Sequence, residues 1–378
     1  FLSPFGGSAN NYAHQGAQDM FEAEILWLMD NYLIDEERIY MVGGSMGGGA
    51  GATYANNHLN PNFPMVAATA SGSGILDCER RYYEMDGNNS MIEWFGGTPE
   101  EVPFEYHRNS AVFFADTTQS MHFNLQYTPL YLDFSYSEDH RYHAEDLYQL
   151  ILNYNDNLWI EDNPEGGHGY SVMNERHTCD WLSQFSLIDN PVHINVNLDE
   201  PSRAYWSEAK NQIDLFDFIK INSEKCYENT ICINEFSNSD TLLLHILNDS
   251  IPSSLQIVNN QNDRIFTFGL TGNPILISLI DEIVMYSFNG EYWNNINIID
   301  NFIYVDIDSG QYLMSFILNE FDDINQDGIW DLLDIIMIID FILNLSLPTD
   351  IEFEAADRNN DNIIDIYDII LIINQILD

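Results

Sequence analysis

A serine set among glycines, Gly43-Gly44-Ser45-Met46-Gly47, is the stretch of this sequence best suited to covalent chemistry. It is entered from the β-rich run Arg38-Ile39-Tyr40-Met41-Val42 and left into Gly48-Gly49-Ala50-Gly51-Ala52-Thr53-Tyr54-Ala55, whose small residues can continue as a helix. A strand-to-helix turn that tight needs flanking residues without side chains, and it lifts the serine hydroxyl clear of the sheet edge. The helix beginning at Met46 aims its free N–H groups and positive dipole end at the same spot, so the Met46 N–H can stabilise an oxyanion there. G-x-S-x-G alone is common. The strand before it and the helix after it make a nucleophile elbow the stronger reading, against a turn that merely lets a helix pack closely on a sheet.

A serine of this kind needs a base to take its proton and an acid to orient that base. His168 lies in Glu165-Gly166-Gly167-His168-Gly169-Tyr170, after the last predicted strand of this region, where a glycine-flanked loop can swing an imidazole over the elbow. His107, His122, His140, His143 and His177 lack that placement. For the acid, the loop after Leu130-Tyr131-Leu132 offers Asp133, Glu138 and Asp139. A strand-end acid about thirty residues before the histidine fits the chain order Ser, acid, His. Asp139 and Glu138 are nearly tied, with Asp133 third; each also reads as an ordinary surface charge.

A second chemistry sits at the carboxyl end. Two twelve-residue loops, Asp323 to Asp334 and Asp357 to Asp368, place oxygen side chains at loop positions 1, 3, 5, 9 and 12. Calcium takes six to eight oxygens, and this spacing wraps them about one point. The ligands so read are Asp323, Asn325, Asp327, Asp331 and Asp334, with the carbonyl of Ile329, and Asp357, Asn359, Asp361, Asp365 and Asp368, with the carbonyl of Ile363. Position 6 needs a left-handed backbone, supplied by Gly328 in the first loop and Asn362 in the second. Each loop feeds an apolar helix, Ile335 to Leu345 and Ile369 to Leu377. Two calcium ions are therefore expected.

Elements able to position these groups follow from periodicity. Met20, Phe21, Ile25, Leu28 and Met29 recur at helical spacing between Gln15 and Asn31. Strands are read at Met65 to Ala70, Thr128 to Phe134 and Asn157 to Ile160, with a helix from Ala144 to Tyr154. Short buried strands alternating with helices indicate a parallel α/β sheet. After Pro191 the rhythm changes to short alternating runs such as His193 to Asn197, Ile265 to Phe268 and Ile303 to Ile307, an all-β and sandwich-like pattern. The expected division is 1–189, 190–318 and 319–378.

The 378 residues carry 60 acidic and 12 basic side chains, a net charge of −48 that argues against nucleic acid and anionic membrane surfaces as partners. No apolar run is long enough to span a bilayer. Of the four cysteines, Cys226 and Cys232 flank a short loop and suit a hairpin disulfide, while Cys78 and Cys179 read either as a second pair or as free thiols.

On the strength of Asp35-Glu36-Glu37-Arg38-Ile39-Tyr40-Met41-Val42-Gly43-Gly44-Ser45-Met46-Gly47-Gly48 and the Gly167-His168-Gly169 loop, residues 1–188 resemble the α/β-hydrolase superfamily, in particular its prolyl-oligopeptidase-type and feruloyl- or acetyl-esterase-like members. The resemblance implies serine-dependent acyl transfer to water, with an ester- or peptide-bearing substrate. It also places the elbow after a fifth strand, so a partial sheet is expected here, with earlier strands and a second oxyanion donor before Phe1. Where that superfamily's acid loop reads His-Gly-x-x-Asp, this chain has Phe134-Ser135-Tyr136-Ser137-Glu138-Asp139. Residues Asp322 to Asp378 resemble a type I dockerin, which implies calcium, a cohesin-like or cell-surface protein partner and an extracellular or cell-surface location. Positions 10 and 11 of its loops depart from the usual small polar residues, being Leu332-Leu333 and Ile366-Tyr367. A non-catalytic adhesion or scaffold component is the competing reading, and it would be favoured if neither Glu138 nor Asp139 reached His168.

Overall fold

Short strands rich in apolar and small residues build a parallel sheet in the amino-terminal half. In the computed structural model, which describes residues 2–4, 6–8, 10–87, 89–261, 264–278, 280–287, 292–293, 296, 298–318, 324, 332–359 and 361–376, helix α1 (Gln15–Asn31) precedes strand β1 (Tyr40–Gly44) and helix α2 (Met46–Asn57) follows it. After β2 (Ala68–Gly72) the chain makes an excursion through α3 (Cys78–Glu84), α4 (Met91–Phe95) and α5 (Pro103–Arg108). It returns as β3 (Leu130–Phe134), crosses over through α6 (Arg141–Ile151) to β4 (Leu158–Asp162), and closes with α7 (Glu175–Leu182). The strands lie in the order β1-β2-β3-β4, each neighbouring pair parallel.

The central strands β2 and β3 are buried throughout, so even Thr69, Ser71 and Asp133 lie in the interior. Leu130, Leu132 and Phe134 pack with Phe21 and Ile25 of α1, Ala52 and Tyr54 of α2, and Leu147 and Ile151 of α6. Ala68, Ala70 and Tyr131 pack instead with Trp181 and Leu182 of α7. The expected helix from Ala144 to Tyr154 is shifted, because α6 starts directly after His140 and ends at Ile151. There the Asn155 carboxamide donates to the carbonyls of Leu125 and Thr128, holding the chain that enters β3 in place of a further helical turn.

Beyond Pro191 the pairing becomes antiparallel. Strands β5 (His193–Leu198), β6 (Arg203–Ala204), β7 (Ser207–Ala209), β8 (Ile219–Tyr227) and β9 (Thr230–Ser237) form the pairs β5 with β8, β8 with β9, and β6 with β7. Cys226 and Cys232 form the hairpin disulfide across β8 and β9, whereas Cys78 is a buried free thiol and Cys179 an exposed one. Burial pushes the Cys78 thiol up to about 12, so it is an inert core group.

Two compact units are present, one of residues 1–244 with 258–268 and 306–309, the other of residues 245–257, 269–305 and 310–378. Within the first, β5 is clasped to the α/β sheet. The Asn124 amide donates to the carbonyls of Asn56 and Asn197, its oxygen accepts from the Asn197 N–H, and the Asn197 amide donates to the Ser120 carbonyl. Arg108 of α5 adds an ion pair to Asp199, 2.6 Å, and Phe104 packs on Phe218. Within the second unit, Ile280–Ser287 pairs antiparallel with Gly310–Leu318. The helices Leu332–Ile342, Asp350–Ala356 and Ile366–Ile376 share a core of Ile335, Ile338, Phe341, Ala355, Ala356 and Ile369. Among the described residues no helix is long and apolar enough to cross a membrane.

Candidate active site and calcium loop

Ser45 is the single residue between β1 and α2, with φ 55° and ψ −122°, a left-handed conformation that costs energy for a residue carrying a Cβ. The turn closes only because its neighbours are bare: a Cβ on Gly43 would stand 2.0 Å from the Gly47 carbonyl oxygen. The elbow is tied to the end of β2, since the Ser45 N–H donates to the Gly72 carbonyl at 2.7 Å and the Ser45 carbonyl accepts from Ile75 at 3.1 Å. Met46 opens α2, where the first N–H groups of a helix have no partner inside it.

The loop carrying the imidazole crosses directly over this turn. A Cβ on Gly44 would lie 2.6 Å from the Tyr170 nitrogen, and one on Gly169 would lie 3.7 Å from the Ser45 nitrogen. His168, one residue before Gly169, is therefore delivered to the elbow by backbone contact. Its N–H donates to Ser171 Oγ, and the Ser171 hydroxyl donates back to the His168 carbonyl. His168 Nδ1 is 2.7 Å from Glu138 Oε1. The other carboxylate oxygen, Oε2, accepts from the Ser73 hydroxyl at 2.7 Å. A carboxylate on Nδ1 holds the imidazole proton on that nitrogen and leaves Nε2 as the acceptor, the arrangement a general base needs.

Of the acids read from the sequence, Glu138 makes this bond. Asp139 is exposed, and its carbonyl accepts from the Tyr142 N–H at the start of α6. Asp133 is buried within β3, opposite Glu161 of β4. Burial, with a smaller contribution from the Glu161 charge, raises its carboxyl to about 7, and its Oδ1 has no partner among the described residues. A carboxyl raised in the folded state favours folding fully below its unfolded pKa near 3.8, and that benefit is lost as pH rises through about 7. Asp133→Asn is accordingly expected to gain on wild type between pH 4 and pH 7 and to hold a constant advantage above it, on the order of 2–4 kcal/mol. Parallel denaturant titrations of the two proteins at pH 4 and pH 8 check this; equal differences at both pH values would refute it.

Two residues at the site escaped the sequence reading. Ser73 sits in Ser71-Gly72-Ser73-Gly74 at the end of β2, the strand beside the elbow strand, and that adjacency was the available signal. His140, read as lacking placement, has its ring 5.0 Å from that of His168. It lies two residues beyond Glu138, is 8% exposed, and its Nε2 has no partner among the described residues. Burial, reinforced by the Arg81 charge, lowers its pKa to about 4 and keeps it neutral.

At the carboxyl end, Asp323, Asn325, Asp327, Ile329 and Asp331 of the first loop, with Gly328, lie outside the described residues. The second loop is drawn around its first and last carboxylates. Asp357 accepts from the N–H groups of Asp361 and Asn362, and Asp368 from those of Arg358, Asn359 and Asp365. Asn362 has φ 66°, the left-handed conformation expected at position 6. Asp334 accepts from the Ile324 N–H just as Asp368 does from Arg358, so positions 2 and 12 pair alike in both loops. The helices begin earlier than read, at Leu332 and Ile366, because position 12 lies in their first turn. An all-oxygen set with two buried carboxylates, Asp357 and Asp368, fits a hard divalent cation.

Comparison with known proteins agrees with both ends of the chain. Residues 8–186 match the prolyl oligopeptidase family, and residues 322–377 match the dockerin type I domain. A search of curated proteins found no match. Similar solved structures include an acylaminoacyl peptidase from Pyrococcus horikoshii (19% identity, TM-score 0.36, covering 47% of this chain and 30% of that one) and a ferulic acid esterase (18% identity, TM-score 0.31, covering 46% and 61%). Another is an acetyl ester-xyloside bifunctional hydrolase from Caldicellulosiruptor lactoaceticus (12% identity, TM-score 0.33, covering 44% and 61%). The chain thus spans under two thirds of the length of each. Residues 8–186 are thus similar to the prolyl oligopeptidase family, on a parallel sheet flanked by helices like that of the α/β-hydrolases, and residues 322–377 are similar to type I dockerin domains.

Proposed function

We propose that this chain is a secreted serine hydrolase that cleaves ester bonds, with acyl groups on polysaccharide as its substrate class. The observation that carries the catalytic reading is the hydrogen bond between His168 Nδ1 and Glu138 on a loop laid across the Ser45 elbow. His168 Nε2 takes the Ser45 proton as Oγ attacks the carbonyl carbon. Glu138 stabilises the resulting imidazolium, and the Met46 N–H receives the negative charge on the carbonyl oxygen. The imidazolium then protonates the leaving alcohol, an acyl-enzyme remains on Ser45, and water, deprotonated by His168, releases the acid. The bond to Glu138 speaks against the scaffold reading, which needed His168 to lack an acid.

Ester preference rests on the dockerin tail, a module that accompanies polysaccharide breakdown. The family match of residues 8–186 favours a peptidase instead, and that is the second reading. Dockerin type I domains bind calcium and dock on cohesins. Here Asp323, Asn325, Asp327, Ile329, Asp331 and Asp334 would hold one calcium ion and Asp357, Asn359, Asp361, Ile363, Asp365 and Asp368 the second. Exposed Leu332, Leu333, Ile366 and Tyr367 offer an apolar face for the partner. The three-part division at residues 189 and 318 belongs to the same proposal.

Wild type is expected to take a fluorophosphonate label in one-to-one ratio and Ser45→Ala to take none, with ester hydrolysis falling by about three orders of magnitude or more. A wild type that does not label would sink the enzyme reading. Ester and peptide panels on the labelling protein then separate the two chemistries.

A further inference from the structure

His140 is the group at this site that the hydrolytic mechanism leaves unused. It is buried, its Nε2 lacks a partner among the described residues, and its ring lies 5.0 Å from that of His168, tilted by 58°. A buried polar atom without a partner carries a desolvation cost, and where other ligand-type atoms are gathered around it an unaccounted ligand is a physical reason for it. Glu138, His140 and His168 each present one ligand-type atom, all within 4.8 Å of one another. Tetrahedral zinc with bonds of about 2.0–2.1 Å holds its donors about 3.3 Å apart, so closure on an ion needs a shift of up to about 1.5 Å. The nearby Arg81 guanidinium pairs with Glu84 through Nη1 at 3.1 Å, while its Nε has no partner among the described residues.

We propose that Glu138, His140 and His168 form a site for a borderline-soft divalent cation such as zinc, and that the bound ion switches the hydrolase off. Two imidazoles and one carboxylate select zinc over calcium or magnesium, which take oxygen ligands. The tail and this site therefore answer to different ions. Binding replaces the hydrogen bond between Glu138 and His168 with metal bonds to both. With Nδ1 on the ion, the single proton of the neutral His168 ring resides on Nε2, which then donates and no longer accepts from Ser45. No proton is gained or lost overall.

The switching half rests on the serine-hydrolase reading; the binding half does not. The test uses the full chain in excess calcium, so that the acidic loops are already filled. Cobalt(II), a spectroscopic substitute for zinc, is expected to give tetrahedral absorption with wild type and with Ser45→Ala alike, displaced by zinc in both. Zinc is expected to inhibit wild type reversibly. His140→Gln is expected to keep its zinc-free kcat/KM within about threefold and to need about tenfold more zinc for the same inhibition. Absence of the cobalt absorption from wild type, or a His140→Gln protein that binds and is inhibited like wild type, would overturn the proposal. Should no substrate be turned over, the cobalt spectrum of Ser45→Ala still decides the binding half.

Discussion

Glu138→Gln is expected to lower kcat/KM by about a thousand- to ten-thousand-fold, while Asp139→Asn stays within about twofold of wild type. The contrast follows from geometry, since the two acids are adjacent in sequence and share charge and loop. Glu138 Oε1 accepts from His168 Nδ1 at 2.7 Å, and Oε2 is steadied by the Ser73 hydroxyl. An amide in its place can present an N–H to Nδ1, which drives the ring proton to Nε2 and removes the acceptor that Ser45 needs. The loss of the correct tautomer alone is worth about four orders of magnitude in a serine triad. Asp139 contributes through its backbone carbonyl, which Asn retains. Steady-state kinetics on an ester substrate decides the matter. A large loss in Asp139→Asn with a small one in Glu138→Gln would reverse the assignment of the acid.

Calcium removal should have the second large effect, this time on folding. Four acidic or amide side chains, Asp357, Asn359, Asp361 and Asp365, share the second loop with buried Asp368, whose carboxyl burial pushes above its usual range despite the N–H groups donating to it. Such a cluster is self-repelling until a cation neutralises it. At a calcium concentration about 100 times Kd, binding contributes about 2.7 kcal/mol, and its loss in a domain of this size lowers the melting midpoint by roughly 10–20 °C. Chelation is therefore expected to lower a discrete thermal transition in the full chain, and Asp357→Ala to lower the same transition at saturating calcium. Unchanged melting in chelator would remove the metal from the account of the tail.

Much of this was legible because the relevant signals are local. Gly43, Ser45 and Gly47 announce the elbow in five residues, and the helix Gln15–Asn31 has the bounds its periodicity indicated. Asn362 in a left-handed turn followed from loop spacing alone. Choosing between Glu138 and Asp139 was not possible from sequence, because one residue of rotation in a turn decides which carboxylate faces His168. Ser73 and His140 were missed for a related reason: each reaches the site from a different strand end, and only the β2-β3 neighbourhood brings them together. Asp133, an ordinary acid at the end of a strand in the sequence, is a core residue because β3 is buried from end to end.

The asparagine clasp sets where this polypeptide can be cut for expression. A fragment ended near residue 189 would strand the amide of Asn124 and the guanidinium of Arg108 without Asn197 and Asp199, and uncover Phe104. The lost polar ties and the apolar surface newly opened to water together reduce such a fragment's margin against aggregation. Shortened proteins carried through to residue 309 keep those partners together with 258–268 and 306–309 of the same compact unit, and are the ones to express when the hydrolase half is wanted without its tail.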